Sequence, residues 1–120
     1  MAAMQLAGTG SFASRRESLE NYAKAAAGFQ KQGDIARAAI AFNQLGHTQN
    51  LLGEKREALE NFQKARDLFR ESGDAHGETV ALRFLGNWYN FAGEGEKAIE
   101  ILNEALEIAR KNRLAGDESG

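Results

Sequence analysis

The chain of 120 residues has no cysteine and no proline. Without cysteine there is no disulfide framework, no thiol nucleophile and no zinc–thiolate site. Without proline, glycine has to mark the breaks between elements, and there are 13 glycines. An excess of one charge is lacking too, since 15 basic residues stand against 17 acidic ones. No basic surplus draws the chain to nucleic acid or to an anionic membrane. No apolar run approaches the roughly 20 residues that span a bilayer. Residues 1–7 carry neither a basic start nor a sustained apolar stretch, so they do not read as a secretory signal. These absences predict a cytoplasmic protein. What is present is ordinary for one globular domain: 42% hydrophobic and 27% charged residues.

With glycine as its main punctuation, the chain also repeats. Laid over itself with a shift of 40 residues, it aligns without a gap. Asp34 then matches Asp74, Leu45 matches Leu85, Gly46 matches Gly86 and Gly53 matches Gly93. Ala58 and Ala65 fall on Ala98 and Ala105. The same shift sets residues 11–33 on 51–73, pairing Leu19 with Leu59, Ala25 with Ala65, Phe29 with Phe69 and Gly33 with Gly73. Two unrelated amphipathic helices would share apolar spacing, but not glycines in register. The chain is read as a half-repeat, 14–33, and two whole repeats, 34–73 and 74–113. Together they make a helical repeat domain over 14–113. A poorly ordered or short helical segment is expected at 1–13, and a flexible tail at 114–120.

Each whole repeat reads as two helices. Ala39, Phe42, Leu45 and Gly46 keep a spacing of three or four, and so do Ala58, Leu59, Phe62 and Ala65. Helices are expected at about 15–32, 35–52, 55–72, 75–92 and 95–112. Gly33 and Gly73 suit the left-handed backbone of a helix end. Asp34 and Asp74 are placed to accept from the first N–H groups of the next helix. Ser14-Arg15-Arg16-Glu17 has capping-box spacing and is expected to open the first helix. Gly46 and Gly86 each cost about 1 kcal/mol of helix propensity against alanine. Their recurrence predicts close approach of the partner helix, with Ala58, Ala65, Ala98 and Ala105 on its other side.

These residues resemble the tetratricopeptide repeat family. Its order is a large residue, Leu-Gly, an aromatic, Ala, an aromatic and Ala. The last repeat has Leu82, Leu85-Gly86, Tyr89, Ala98, Leu102 at the second aromatic place, and Ala105. The middle repeat has Phe42, Leu45-Gly46, Gln49, Ala58, Phe62 and Ala65. The period is 40, against a commoner one of about 34. Gln49 replaces the first aromatic, and Lys55 and Gly95 stand where a tyrosine often packs. No proline closes a repeat, and Gly8-Thr9-Gly10-Ser11 lies where the opening helix of the first repeat should be. The resemblance implies an all-α fold, with antiparallel helix pairs stacked as a short right-handed solenoid. It also implies a non-catalytic protein–protein interaction module, whose concave groove takes a peptide or helix of a partner. The alternative is a structural scaffold segment, or a self-associating piece of a longer array.

No residue set reads as a catalytic, cofactor-binding or metal site. His47 has no carboxylate three or four residues away, and His76 has only Asp74 and Glu78 nearby; surface or groove lining describes both better. Acidic residues have basic neighbours at helical spacing, as in Glu60/Lys64 and Glu107/Lys111. Gly93-Glu94-Gly95 lacks the Lys-Ser/Thr of a phosphate loop. Arg15-Arg16 and Lys55-Arg56 are isolated pairs, not a basic stripe. The partner expected is therefore a protein, with no nucleic acid and no membrane.

By the resemblance, the groove is lined by Ile40, Asn43, His47, Asn50 and Leu51, then by Val80, Arg83, Asn87, Asn90 and Phe91. The spacing agrees. Asn43, His47 and Asn50 recur at i, i+4 and i+7, as do Arg83, Asn87 and Asn90, opposite the apolar faces. Asparagine is a poor helix former, and its amide suits the backbone of an extended peptide. A solvated wall without a ligand is the other account. Arg83 and Asn87 resemble part of a carboxylate clamp found in one family subtype, and Asn43 with His47 is a weaker echo. Beside the stripe lie Phe84, Trp88 and Phe91. Trp88 is expected to pack, while Phe84 and Phe91 suit packing or partner anchoring equally. In the last helix, Ile101 and Leu106 replace Asn61 and Arg66. That makes its apolar face wider than one buried stripe. Both residues are expected to be covered, by a homodimer or by further repeats.

Overall fold

A computed structural model of the chain describes residues 10–119, with side chains described for 14–113. It holds helices α1 (Gly10–Lys31), α2 (Ile35–Leu51), α3 (Lys55–Ser72), α4 (Ala75–Phe91) and α5 (Gly95–Ser119), and no strand among the described residues. α1 is the half-repeat; α2–α3 and α4–α5 are the whole ones. Packing runs between chain neighbours, with a smaller contact from α2 to α4. The result is an elongated all-α stack measuring 55 × 37 × 26 Å, the quasi-one-dimensional plan of a repeat solenoid.

Four copies of one turn make the stack regular. Gly33, Gly53, Gly73 and Gly93 have φ of 80°, 84°, 74° and 84°, a region that a Cβ disfavours. At Gly33 its own N–H donates to Gln30 O, and Asp34 N–H donates to Phe29 O at 2.9 Å; the other three turns repeat this pattern. Such paired bonds close a helix by using its last free carbonyls. The residue after the glycine separates the two kinds of turn. Asp34 accepts from Arg37 N–H at 3.2 Å and Asp74 from Gly77 N–H at 2.9 Å. Glu54 makes no side-chain cap. Aspartate thus opens a repeat, and glutamate divides one.

The three middle helices match the expected bounds to within a residue, while the two outer ends of the stack differ. α1 begins at Gly10, so Ser14 and Glu17 lie inside it and form no capping box. Gly10 and Ser11 also belong to the helix rather than to a break. α5 continues to Ser119, past the expected end near 112. Of the expected terminal segments, residues 1–9 and 120 lie outside the described residues.

Two apolar clusters hold the stack together. One joins Ala26 of α1, Phe42 and Leu45 of α2, Phe69 of α3 and Ala81 of α4. The other joins Phe62 of α3, Leu82, Leu85 and Tyr89 of α4, and Ala98 and Ala105 of α5. The recurring glycines do mark close approach: Gly46 meets the Ala58 backbone as expected, and both glycines meet a large side chain more closely still. A Cβ on Gly46 would lie 2.8 Å from Phe62 Cδ1 and 3.1 Å from Ala58 O. One on Gly86 would lie 2.6 Å from Leu102 Cγ. Each glycine is a seat for the large side chain of the paired helix. Gly77, whose counterpart is Arg37, seats the Phe69 ring in the same way, its added Cβ 2.8 Å from Phe69 Cγ.

One exchange between repeats explains Ile101. In the middle repeat the buried Gln49 Oε1 accepts from Asn61 Nδ2 at 2.6 Å. In the last repeat the same two places hold Tyr89 and Ile101. Tyr89 is buried and Ile101 is half-buried against its cluster. A polar pair has been replaced by an apolar pair, so Ile101 packs inward and is not part of a bare outer face.

Candidate functional site

Stacking α2 on α4 opens a hollow between them. Ile40, Asn43 and His47 of α2 face His76, Val80 and Phe84 of α4, with Phe69 and Gly77 in the lining, around a volume of about 330 Å³. The helix period places these residues on facing sides. The Gly77 seat lets Phe69 lie under the first turn of α4. Phe84 stacks on Phe62 at 5.3 Å with 13° between the rings, and lies tilted by 55° to the His47 ring at 5.3 Å. The lining is mostly apolar carbon. Asp74 also lies there, with Oδ1 already bonded to Gly77 N–H.

Asn43 is the unusual member. It was expected to stand in an open polar stripe, but it is 9% exposed. Its Oδ1 is buried with no hydrogen-bond partner. Leaving such an acceptor unsatisfied costs about 1–3 kcal/mol, so an orphan of this kind in a native helix asks for a reason. Its counterpart Arg83 is exposed. The two residues share a helical register and not an environment, because Asn43 has α4 beyond it.

A second hollow, of about 450 Å³, lies at the α4 C-terminus between Asn50, Lys55, Trp88, Phe91 and Ala92. Lys55 Nζ donates to Asn50 Oδ1 at 3.0 Å, and Trp88 Nε1 donates to Lys55 O at 2.9 Å. Trp88 also packs edge-on to Tyr89 at 5.1 Å, as expected of a packing residue. Phe91 is 83% exposed.

The expected site is therefore divided. The structure brings Asn43, His47 and Phe84 together around the first hollow, and Asn50 and Phe91 around the second. Leu51, Arg83, Asn87 and Asn90 are exposed on the surface and line neither. Sequence reasoning missed Gln44, Phe69 and Gly77 as lining residues. The available signal was Gly77 itself, a helix glycine opposite an aromatic.

Among the described residues no group of three or more His, Asp or Glu could hold a metal ion. No described helix is long and apolar enough to cross a membrane. Ion pairs tie the helices on the outside. Arg70 of α3 reaches Glu78 of α4 at 2.7 Å and Glu104 of α5 at 3.2 Å. The hydrogen bond it donates to Glu78 holds its guanidinium still more firmly protonated. Glu107 and Lys111 pair at 3.7 Å as their spacing predicts.

No curated protein matches the chain in sequence. The tetratricopeptide repeat family does match, over residues 37–111, and that family generally supplies protein–protein interaction modules without catalytic function. The matched span is more than half of the chain and takes in all of α3 and α4. With its helix pairs and glycine seats, the chain belongs to the tetratricopeptide repeat family.

Proposed function

We propose that the chain binds a partner peptide in the hollow between α2 and α4, which receives one apolar side chain. The observation that carries this is the pairing of an apolar hollow with the unpartnered Asn43 amide in its wall. Preformed apolar concavities with a few polar groups are the usual form of a ligand site. A small rotation of the Asn43 side chain presents its amide to the backbone of an extended peptide. His47, Gln44 and His76 at the rim offer further polar contacts. The test uses peptides selected from a display library against the whole chain. They should bind Val80→Lys at least tenfold more weakly, with unchanged far-UV circular dichroism. Asn43→Ala should also weaken binding, yet melt no lower than the parent, because it removes the orphaned acceptor. Equal affinity for Val80→Lys contradicts the assignment.

A second reading, self-association or continuation of an array, has its own observation. Ile99 and Leu106 of α5 are 61% and 62% exposed and lie seven residues apart on one face. Ile99 is the counterpart of Leu59, which the second cluster half-buries. Covering two such side chains stabilises by roughly 1.5–3 kcal/mol each. On this reading, sedimentation finds a dimer that Ile99→Lys with Leu106→Lys converts to a monomer. A parent chain that is monomeric at high micromolar concentration sinks it.

A further inference from the structure

The hollow between α2 and α4 contains one polar group that the fold both covers and leaves unserved. Gln44, His47 and His76 at its rim are exposed to solvent, and Asp74 Oδ1 already accepts from Gly77 N–H. Asn43 differs, being 9% exposed with its Oδ1 buried and unpartnered. Much of the remaining lining is carbon, from Ile40, Phe69, Val80 and Phe84. The Phe84 ring is held by stacking on the buried Phe62, at 5.3 Å with 13° between the planes, so the hollow keeps an aromatic wall.

Size narrows the occupant. An engineered apolar cavity of about 150 Å³ holds a benzene molecule. At about 330 Å³ the hollow takes a substituted ring, and a valine or leucine side chain would leave much of it unfilled. Chemistry narrows the occupant further. The Asn43 amide has an acceptor and two donors. The peptide backbone engages one end; the other still needs a partner, and the anchoring side chain is the group left to supply it. A wholly apolar anchor would seal that end from water unpaired. A phenol hydroxyl donates one hydrogen bond and accepts others, whereas an indole only donates, and serine and threonine carry no ring. Given the peptide site proposed above, on which this rests, we infer that the hollow selects tyrosine as the anchor, its ring on Phe84 and its hydroxyl on the Asn43 amide. No hydrogen bond among the described residues holds Asn43 Oδ1 in place, and the last torsion of asparagine is broad. The amide therefore turns to meet the hydroxyl. Phenylalanine has the ring but leaves the amide unpaired, and sites built to pair a hydroxyl reject the analogue without one.

The probes are p-cresol and toluene, the side chains of tyrosine and phenylalanine, titrated into the whole isotope-labelled chain. p-Cresol should bind at least tenfold more tightly, with saturable shifts at the Asn43 side-chain amide, Val80 and Phe84. An all-carbon hollow gives the opposite order, since taking a hydroxyl out of water without a partner is unfavourable. Asn43→Leu should reverse the preference in favour of toluene, and Asn43→Ala should abolish it, so the result does not depend on one variant folding. In display-selected peptides, phenylalanine in place of the anchoring tyrosine should weaken binding at least tenfold. Toluene binding as tightly as p-cresol, shifts centred away from the hollow, or neither probe binding there overturns the inference. So does a preference for p-cresol that survives in Asn43→Leu. Peptides that lose affinity for Val80→Lys yet ignore the exchange of tyrosine for phenylalanine remove the tyrosine anchor and leave the peptide site standing. Peptides that bind Val80→Lys as well as the parent remove the site and the anchor together.

Discussion

Phe62→Ala is expected to destabilise the chain by about 3–5 kcal/mol, the usual loss for a buried aromatic cut to alanine. Phe62 is 1% exposed and lies at the junction of three helices. Its ring fills the Gly46 seat of α2 and stacks on Phe84 of α4. The glycine cannot fill the space left behind, so the cavity persists. Domains hold about 5–15 kcal/mol in total, so the loss is a large share of the whole. It also falls on the contact between repeats. In a linear stack, stability is a sum of repeat terms and neighbour terms, and Phe62 contributes to both. Denaturant unfolding followed by far-UV circular dichroism and by fluorescence of Trp88, the only tryptophan, should coincide in the parent. In Phe62→Ala the two curves should separate, because the α4–α5 repeat no longer unfolds with the rest. A loss below about 1 kcal/mol, in the range of a surface change, with coincident curves contradicts this role.

Alanine at two helix glycines should give effects of opposite sign. Gly28 of α1 has nothing within 4 Å of an added Cβ. There the substitution keeps only its gain in helix propensity, about 0.5–1 kcal/mol. Gly46 carries the same gain, but its Cβ would meet the Phe62 ring at 2.8 Å and the Ala58 carbonyl at 3.1 Å. The ring is enclosed and the carbonyl belongs to the helix backbone, so neither yields cheaply. Overpacking of this kind costs typically 1–3 kcal/mol, which outweighs the gain. Gly86→Ala should fall between the two, because the half-buried Leu102 that it meets has room to turn. Chemical denaturation of the three variants gives the order directly. Gly46→Ala proving more stable than the parent would mean that α2 and α3 lie farther apart than these contacts allow.

The repeat was legible because glycine and aspartate mark its breaks. Gly33 and Gly73 sit at positive φ, and Asp34 and Asp74 cap the helices after them. Local chemistry fixes such positions, so sequence suffices for them. The family resemblance drawn from Leu45-Gly46 and Leu85-Gly86 agrees with the matched span of 37–111. Burial of particular side chains was less legible. Helical spacing placed Asn43, His47 and Asn50 on one stripe, but a stripe has width. The crossing of α4 covers Asn43 and leaves His47 exposed. Ile101 looked like surplus apolar surface until set beside Tyr89, since only the pair differs coherently from Gln49 and Asn61. Ser14 has the spacing of a helix start, yet nothing in residues 10–14 breaks a helix strongly enough to end it there.

The hollow between α2 and α4 is the place proposed for the partner. The most direct measurement is chemical-shift mapping of a display-selected peptide on the labelled whole chain. The largest changes are expected at the Asn43 side-chain amide, at His47 and at Val80 and Phe84, with Ile99 and Leu106 unmoved. Changes confined to the exposed Arg83, Asn87 and Asn90, or to the open face of α5, with Asn43 unmoved, would contradict it.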